Sequence, residues 1–303
     1  MIDFQPITSI SRTEYDKYLF AESDRGCELS YGNLNMWGNQ KFAFLQNQLL
    51  LLSQYGTHFM YPFPFGDGNK KEALDAILSD AKERQIPCCI SSLTEERAAY
   101  LEELYPNQFR FHFNRNSYDY VYEIEKLAAL KGRKYHRKRN HYHRFCKNHP
   151  DFRIEPITSA NLPQVLAFAH TWYTNKQAEN PEENFHHEQQ AFERGIAHYE
   201  KLRLDGIILL HNEEILAFSI GNPLSADTFD VNFEKARWDI EGAYTAINCE
   251  FAKYIQAKYP HILYLDREED MGVEGLRKAK ESYFPHHMIQ RGFAVLKEST
   301  NED

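Results

Sequence analysis

The sequence predicts an α+β chain of two similar domains, each a mostly antiparallel twisted sheet flanked by helices, and three observations predict it. Asp3-Phe4-Gln5-Pro6-Ile7-Thr8-Ser9 is echoed by Asp151-Phe152-Arg153-Ile154-Glu155-Pro156-Ile157-Thr158-Ser159. In each copy a short strand leads into Thr/Ser caps and an amphipathic helical pattern. Phe42 to Leu52 resembles Ile207 to Ala217 in the same way, as two apolar strands joined by a short polar turn containing Asn, the signal of a hairpin. Between the halves lies a single basic stretch. The expected boundaries are 1–125 for the first domain, 126–150 for a basic helical junction and 151–303 for the second domain.

The elements follow in order. A Pro- and Phe-rich loop from Tyr61 to Gly68 leads to a helix that Asn69 and Glu72 open as a capping box. Ile86 to Ser91 reads as a strand, Thr94 caps a helix through Leu104, and the aromatic run Phe109 to Tyr122 alternates as strands do. In the second half Leu162, Val165, Leu166, Ala169 and Trp172 mark one helix, and Phe192, Ile196 and Tyr199 another. After the hairpin come a strand near Phe229 to Phe233, a helix from Asp239 to Lys258, a buried strand Ile262 to Leu265, and a helix from Val273 to Tyr283 that Pro285 ends.

A chain of 303 residues with 42% hydrophobic residues can bury two cores. The net charge of −9 argues against indiscriminate nucleic-acid binding and leaves room for one basic patch. Five cysteines with no C-x-x-C spacing indicate neither a disulfide framework nor a zinc site, and no histidine spacing suggests a catalytic metal. With no signal peptide and no apolar run of spanning length, the expectation is a soluble cytoplasmic protein.

From Lys126 to Pro150 there are nine Lys or Arg and no acid, against 26 basic and 44 acidic residues elsewhere. Wound as a helix, Lys131 to Lys147 places Arg133, Arg137, Asn140, Arg144 and Lys147 on one face. Tyr135, Tyr142, Phe145 and Cys146 fall on the other, and Lys131 and Lys138 fall among them. Two readings stand: a solvated face whose lysines snorkel, or a cleft that receives an anion.

The doubled element order resembles the tandem acetyltransferase-like (GNAT) architecture. Lys131 to Asn140 and Asp266-Arg267-Glu268-Glu269-Asp270-Met271-Gly272 through Tyr283 resemble signature stretches of bacterial proteins related to the C-terminal domain of phosphatidylglycerol lysyltransferase. The resemblance implies a pair of folds akin to the Fem peptidyltransferases, which move an aminoacyl group from charged tRNA to an amine or hydroxyl. It implies tRNA as partner, no permanently bound cofactor, and a small-molecule, peptide or lipid-headgroup acceptor. In that scheme Lys131, Arg133, Arg137 and Lys138 hold donor phosphates. Lys280, with Arg277, stabilises the oxyanion, and Asp266, Glu268 or Glu234 orients the amine or takes its proton; Arg267 and Asp270 line the site. Acetyl-CoA enzymes of this fold hold pyrophosphate at a helix start with Gln or Arg, two residues, Gly, one residue, then Gly or Ala. Here Arg237 to Ala243 puts Ile240 in place of the first Gly, with Asp239 and Glu241 beside it. Their carboxylates suit an amine, or serve as ordinary dipole stabilisers. The alternatives are an acyl-CoA-dependent N-acyltransferase and a noncatalytic RNA-binding protein.

Overall fold

A computed structural model of the chain describes residues 1–21, 26–182 and 184–297. In chain order the elements begin with β1 (Gln5–Pro6), α1 (Arg12–Leu19), α2 (Tyr31–Met36), β2 (Asn39–Leu45), β3 (Gln48–Tyr55), β4 (His58–Pro62) and β5 (Phe65–Gly66). They continue with α3 (Lys70–Arg84), β6 (Cys89–Leu93), α4 (Glu95–Leu104), β7 (Phe109–Phe113), β8 (Asp119–Glu123), α5 (Ile124–Ala129) and α6 (His136–Asn148). The second half supplies β9 (Arg153–Pro156), α7 (Leu162–Glu179), α8 (His186–Ala197), β10 (Asp205–His211), β11 (Glu214–Pro223) and β12 (Thr228–Ala236). The chain closes with α9 (Ala243–Lys258), β13 (Tyr264–Asp266), α10 (Glu274–Glu281), β14 (His287–Ile289) and β15 (Gly292–Leu296).

The fold is α+β with two sheets flanked by helices. One sheet runs β1-β2-β3-β4-β6-β15-β7, with β5 beside β3; the other runs β9-β10-β11-β12-β13-β8-β14. Each begins with antiparallel neighbours and turns parallel at one step, β4 with β6 and β12 with β13. Both expected hairpins form, and their turn residues Gln46-Asn47 and Asn212-Glu213 all have positive φ, as the tight turns that suit twisted strands require.

Two compact units divide the chain. The first holds Met1–Asp119, Glu269–Arg277 and the residues from Met288 onward; the second holds Tyr120–Glu268 and Lys278–His287. The expected bounds 1–125, 126–150 and 151–303 therefore give way to different ones. β8, from the first half, pairs with β13 through Glu123–Tyr264 and Val121–Asp266, while β15, near the end, pairs with β6 and β7. Alternating aromatics announce a strand but carry no information about its partner. The basic helix α6 is part of the second unit, where its Tyr142 hydroxyl donates to Glu250 of α9 at 2.5 Å.

In the first unit Leu50, Leu52, Tyr61 and Phe63 of the sheet region pack with Leu74 and Ile77 of α3 and Leu101 of α4. The predicted caps hold: Asn69 accepts from the Lys71 and Glu72 amides, and Thr94 from Arg97. In the second unit, Phe192 of α8 lies 5.4 Å from Phe218 and 5.2 Å from Phe233, and Phe251 of α9 lies 6.0 Å from Phe229. Between the pairs Ile220–Phe233 and Asn222–Asp230, β12 spends one more residue than β11. This bulge reverses the alternation of β12, so Glu234 shares a face with Phe229, the face on which α9 packs.

Candidate active site

The end of β12, the end of β13 and the C-terminal end of α10 bring together Glu234, Arg267 and Tyr283, all in the second unit. The Arg267 Nη2 donates to Glu234 Oε1 at 2.8 Å, in a pair whose side chains are 15% and 9% exposed. Burial works against the guanidinium charge, and the Glu234 carboxylate more than offsets it, so Arg267 stays protonated. Arg267 Nη1, by contrast, is buried and has no hydrogen-bond partner. Its guanidinium carbon lies 5.2 Å from the Tyr283 ring centroid and 5.8 Å from that of Tyr122. Burial raises the pKa of both phenols.

α6 contributes Lys138, whose Nζ sits 3.8 Å from the Tyr283 ring centroid. Burial, then the nearby Arg267 and Arg137, lower its pKa to about 8, with Glu234 acting in the opposite direction. Lys138 thus lies on the inward side, as its spacing predicts. Lys131 does not. Leu130 and Gly132 have φ of 48° and 93°, and the helix starts only at His136, so Lys131 and Arg133 precede it and are exposed. Arg139 holds that turn by donating to the carbonyls of Leu130 at 2.6 Å and Gly132 at 3.1 Å. Arg137 is also exposed.

Lys280 is 7% exposed, and its Nζ donates to the carbonyls of Arg267 at 2.5 Å and Glu268 at 3.0 Å. Glu268 has φ of 58°, a left-handed conformation costly for a residue with a side chain. The lysine pins this segment, as does Asp266, which is fully buried and accepts the Glu268 amide at 2.8 Å. The expected oxyanion role of Lys280 gives way to a positioning one, because its ammonium is spent on backbone oxygens. Asp266 likewise serves the turn.

Asp270 and Arg277 belong to the first unit. Arg277 binds Asp270 through Nε and Nη2, each at 2.8 Å, and Nη2 also reaches Asn116 at 2.7 Å; Arg115 adds a third cationic contact to Asp270 at 3.0 Å. This bidentate network ties the loop, and Arg277 serves it through both Nε and Nη2. Also in the first unit, Arg291 contacts Glu28 at 3.1 Å, Asp119 at 3.3 Å and Glu269 at 2.6 Å. The ligand-type atoms of Cys27, Glu28 and Asp119 lie within 4.8 Å of one another, and the guanidinium supplies a cation for them.

Asp239 and Glu241 are exposed and paired with arginines, Asp239 with Arg237 at 2.6 Å and Glu241 with Arg144 of α6. They form surface ion pairs rather than an amine pocket. The turn itself is occupied from outside: a Cβ on Gly242, the residue before α9, would lie 2.6 Å from the His141 carbonyl oxygen and 3.0 Å from Phe145 Cβ. Tyr283 and Tyr122 carry no chemical signal in the sequence, where one ends a helical pattern and the other an aromatic run, although Tyr283 stands three positions after Lys280, where a helix-end side chain shares its face.

The family model for phosphatidylglycerol lysyltransferase, C-terminal, matches residues 21–294. A conserved protein of unknown function from Bacteroides thetaiotaomicron is 34% identical, with a TM-score of 0.92 over 98% of this chain and 100% of that one. The L-PGS structure from Bacillus licheniformis is 13% identical, with a TM-score of 0.68 over 96% of this chain and 93% of that one. FemX is 10% identical, with a TM-score of 0.63 over 98% of each. The match to an uncharacterized protein of Mycoplasmoides gallisepticum, 25% identical over 59% of this chain, spans 56% of that relative's length. The chain belongs to the phosphatidylglycerol lysyltransferase C-terminal family, and with it to the transferases.

Proposed function

We propose that this chain transfers an aminoacyl group from charged tRNA to an amine or hydroxyl acceptor, with its two units as tandem acetyltransferase-like folds. The repeated strand order, β1-β2-β3-β4 then a parallel step and β9-β10-β11-β12 then a parallel step, supports the tandem reading. The observation that carries the activity is that one helix serves two ends. Arg137 of α6 is exposed, as are Arg133 and Lys131 ahead of the helix, while the next residue, Lys138, lies against Tyr283 and close to Arg267. A phosphate backbone held outside would thus lie one residue away from the groups that act on its acyl terminus.

In the step itself, the acceptor nitrogen or oxygen attacks the ester carbonyl, a new C–N or C–O bond forms, and the bond to the tRNA ribose oxygen breaks. The proton leaving the acceptor passes to Glu234 and on to the ribose oxygen. Glu234 Oε2, the oxygen that Arg267 does not hold, is 3.5 Å from the Ser219 hydroxyl and is placed to orient the acceptor. Coenzyme A is the less supported donor, because His141 and Phe145 of α6 press on the turn where its pyrophosphate would sit in the second unit.

The test is binding of bulk tRNA across a salt series by the protein and by a variant with Lys131, Arg133 and Arg137 changed to Ala. Affinity should fall linearly with log salt, and the variant's slope should be shallower by about 2–3, one counterion per lost phosphate contact. Equal slopes would remove the exposed basic residues from donor binding.

A further inference from the structure

We propose that Arg267 Nη1 and the Lys138 ammonium together form an oxyanion receptor, the element of the site that binds a tetrahedral oxygen anion as the acyl carbon is attacked. The proposal rests on the acyl-transfer reading only for the identity of that anion. Its structural basis is independent of the donor.

Arg267 offers five N–H donors, and buried donors of this kind are paired in the great majority of proteins. Nη2 is taken by Glu234, whereas Nη1 is buried without a partner. Leaving a charged donor so placed costs more than the ~1–3 kcal/mol of a neutral one, and a ligand oxygen is the chemistry that removes the cost. Lys138 is the second unmatched group. Among the described residues no carboxylate lies within ion-pair distance of its Nζ, although the side chain is half-buried, where lysine ordinarily has an acid partner. Both cations lie against one ring, the Lys138 Nζ 3.8 Å and the Arg267 Cζ 5.2 Å from the Tyr283 centroid. With Glu234 as the nearby acid, two positive charges face one negative, and the excess is one monoanion.

The depression of the Lys138 pKa by burial and by Arg267 is the electrostatic counterpart of the same excess. An arriving oxyanion would restore the ammonium. The receptor is selective in time as well as in charge. A neutral ester carbonyl gains little from two cations, whereas the oxyanion formed on attack gains a charge-assisted hydrogen bond from each, the differential that lowers a barrier. The negative charge returns to the departing ribose oxygen when the intermediate collapses, so the receptor ends the cycle in its starting state. Lys280 supports this arrangement from behind, through the carbonyl of Arg267 itself.

The experiment is calorimetry of the full chain with three probes. The first is an α-aminoalkyl phosphonate monoester, a monoanionic tetrahedral mimic; the others are the corresponding neutral amino acid methyl ester and inorganic phosphate. The phosphonate should bind at least about tenfold tighter than the ester, and Lys138→Met and Arg267→Lys should each weaken the phosphonate about tenfold while leaving the ester nearly unchanged. Arg144→Ala, on the exposed pair with Glu241, should change neither. Lys138→Met lies on a helix face outside the Arg267–Glu234 pair and keeps the test valid if the arginine variant fails to fold. Equal affinity for phosphonate and ester, or a phosphonate affinity that Lys138→Met leaves intact, would overturn the proposal. Inorganic phosphate bound as tightly as the phosphonate would overturn it too, since the pair would then be a ground-state phosphate site. Because no tRNA is involved, phosphonate binding with the predicted losses but no aminoacyl transfer would refute the proposed donor and leave the receptor standing.

Discussion

A lysine ammonium that leaves water must be compensated, and Lys280 is compensated far better than Lys138. Lys280 is satisfied by two backbone carbonyls, those of Arg267 and Glu268. Lys280→Met strips a charged donor from both and releases the left-handed Glu268, so urea unfolding should show a loss of ~2–3 kcal/mol. An unchanged midpoint would contradict its structural role. Lys138 has a ring and an arginine for neighbours, and its pKa falls from 10.5 in the unfolded chain to about 8. Between those values the unfolded chain binds more protons, so stability rises with pH across the window, and below about 8 the protein carries the full penalty of the buried charge. Lys138→Met should therefore melt higher than the parent at pH 7, by on the order of 1–3 °C, with the difference vanishing above pH 10.5. A lower melting point at pH 7 would refute this. Lys138 was legible in the sequence, because helical spacing put it on an apolar side. The pairing of Arg267 with Glu234 was not, since strand register and a bulge bring them together across 33 positions.

At the scale of elements, the ends of α6 and α9 decide the geometry. Gly242 has φ of 85° and faces the α6 backbone, so Gly242→Ala meets both a conformational and a steric barrier and should cost about 1–3 kcal/mol. Gly275, within α10, has nothing within 4 Å of the position of a Cβ, and Gly275→Ala should be neutral or stabilise by up to ~1 kcal/mol. Paired denaturant melts check both, and equal effects would contradict the seam between α6 and α9. Hairpins, caps and most helices were readable from local signals such as Asn-containing turns and Asn69 or Thr94 caps. The start of α6 was not. Its expected beginning near Lys131 ignored that Leu130 and Gly132 adopt left-handed conformations, and nothing in a run of basic residues marks such a break.

At the scale of the whole molecule, the sequence echo pointed correctly to two sheets flanked by helices, while the boundaries were hidden. β8 lies in the sheet of the second unit and β15 in that of the first, an exchange that leaves no mark on periodicity, because the aromatic run Phe109 to Tyr122 supplies β7 to one sheet and β8 to the other with the same alternation. The same exchange divides the signature stretch after Asp266. Its first residues and Lys280 serve the Glu234–Arg267 group, and Asp270 with Arg277 serves an ion network of the first unit. Among the described residues, no helix is long and apolar enough to cross a membrane.

Donation by an aminoacyl-tRNA is measured directly as discharge of a mixed pool of radiolabelled aminoacyl-tRNAs in the presence of amines and a lipid extract. If such a tRNA is the donor, label is lost from tRNA in a protein-dependent way, faster than spontaneous hydrolysis, and is recovered on an amine or hydroxyl compound, with the rate reduced about a hundredfold or more by Arg267→Lys. No discharge of any aminoacyl-tRNA, together with micromolar binding of acetyl-CoA, would contradict a tRNA donor.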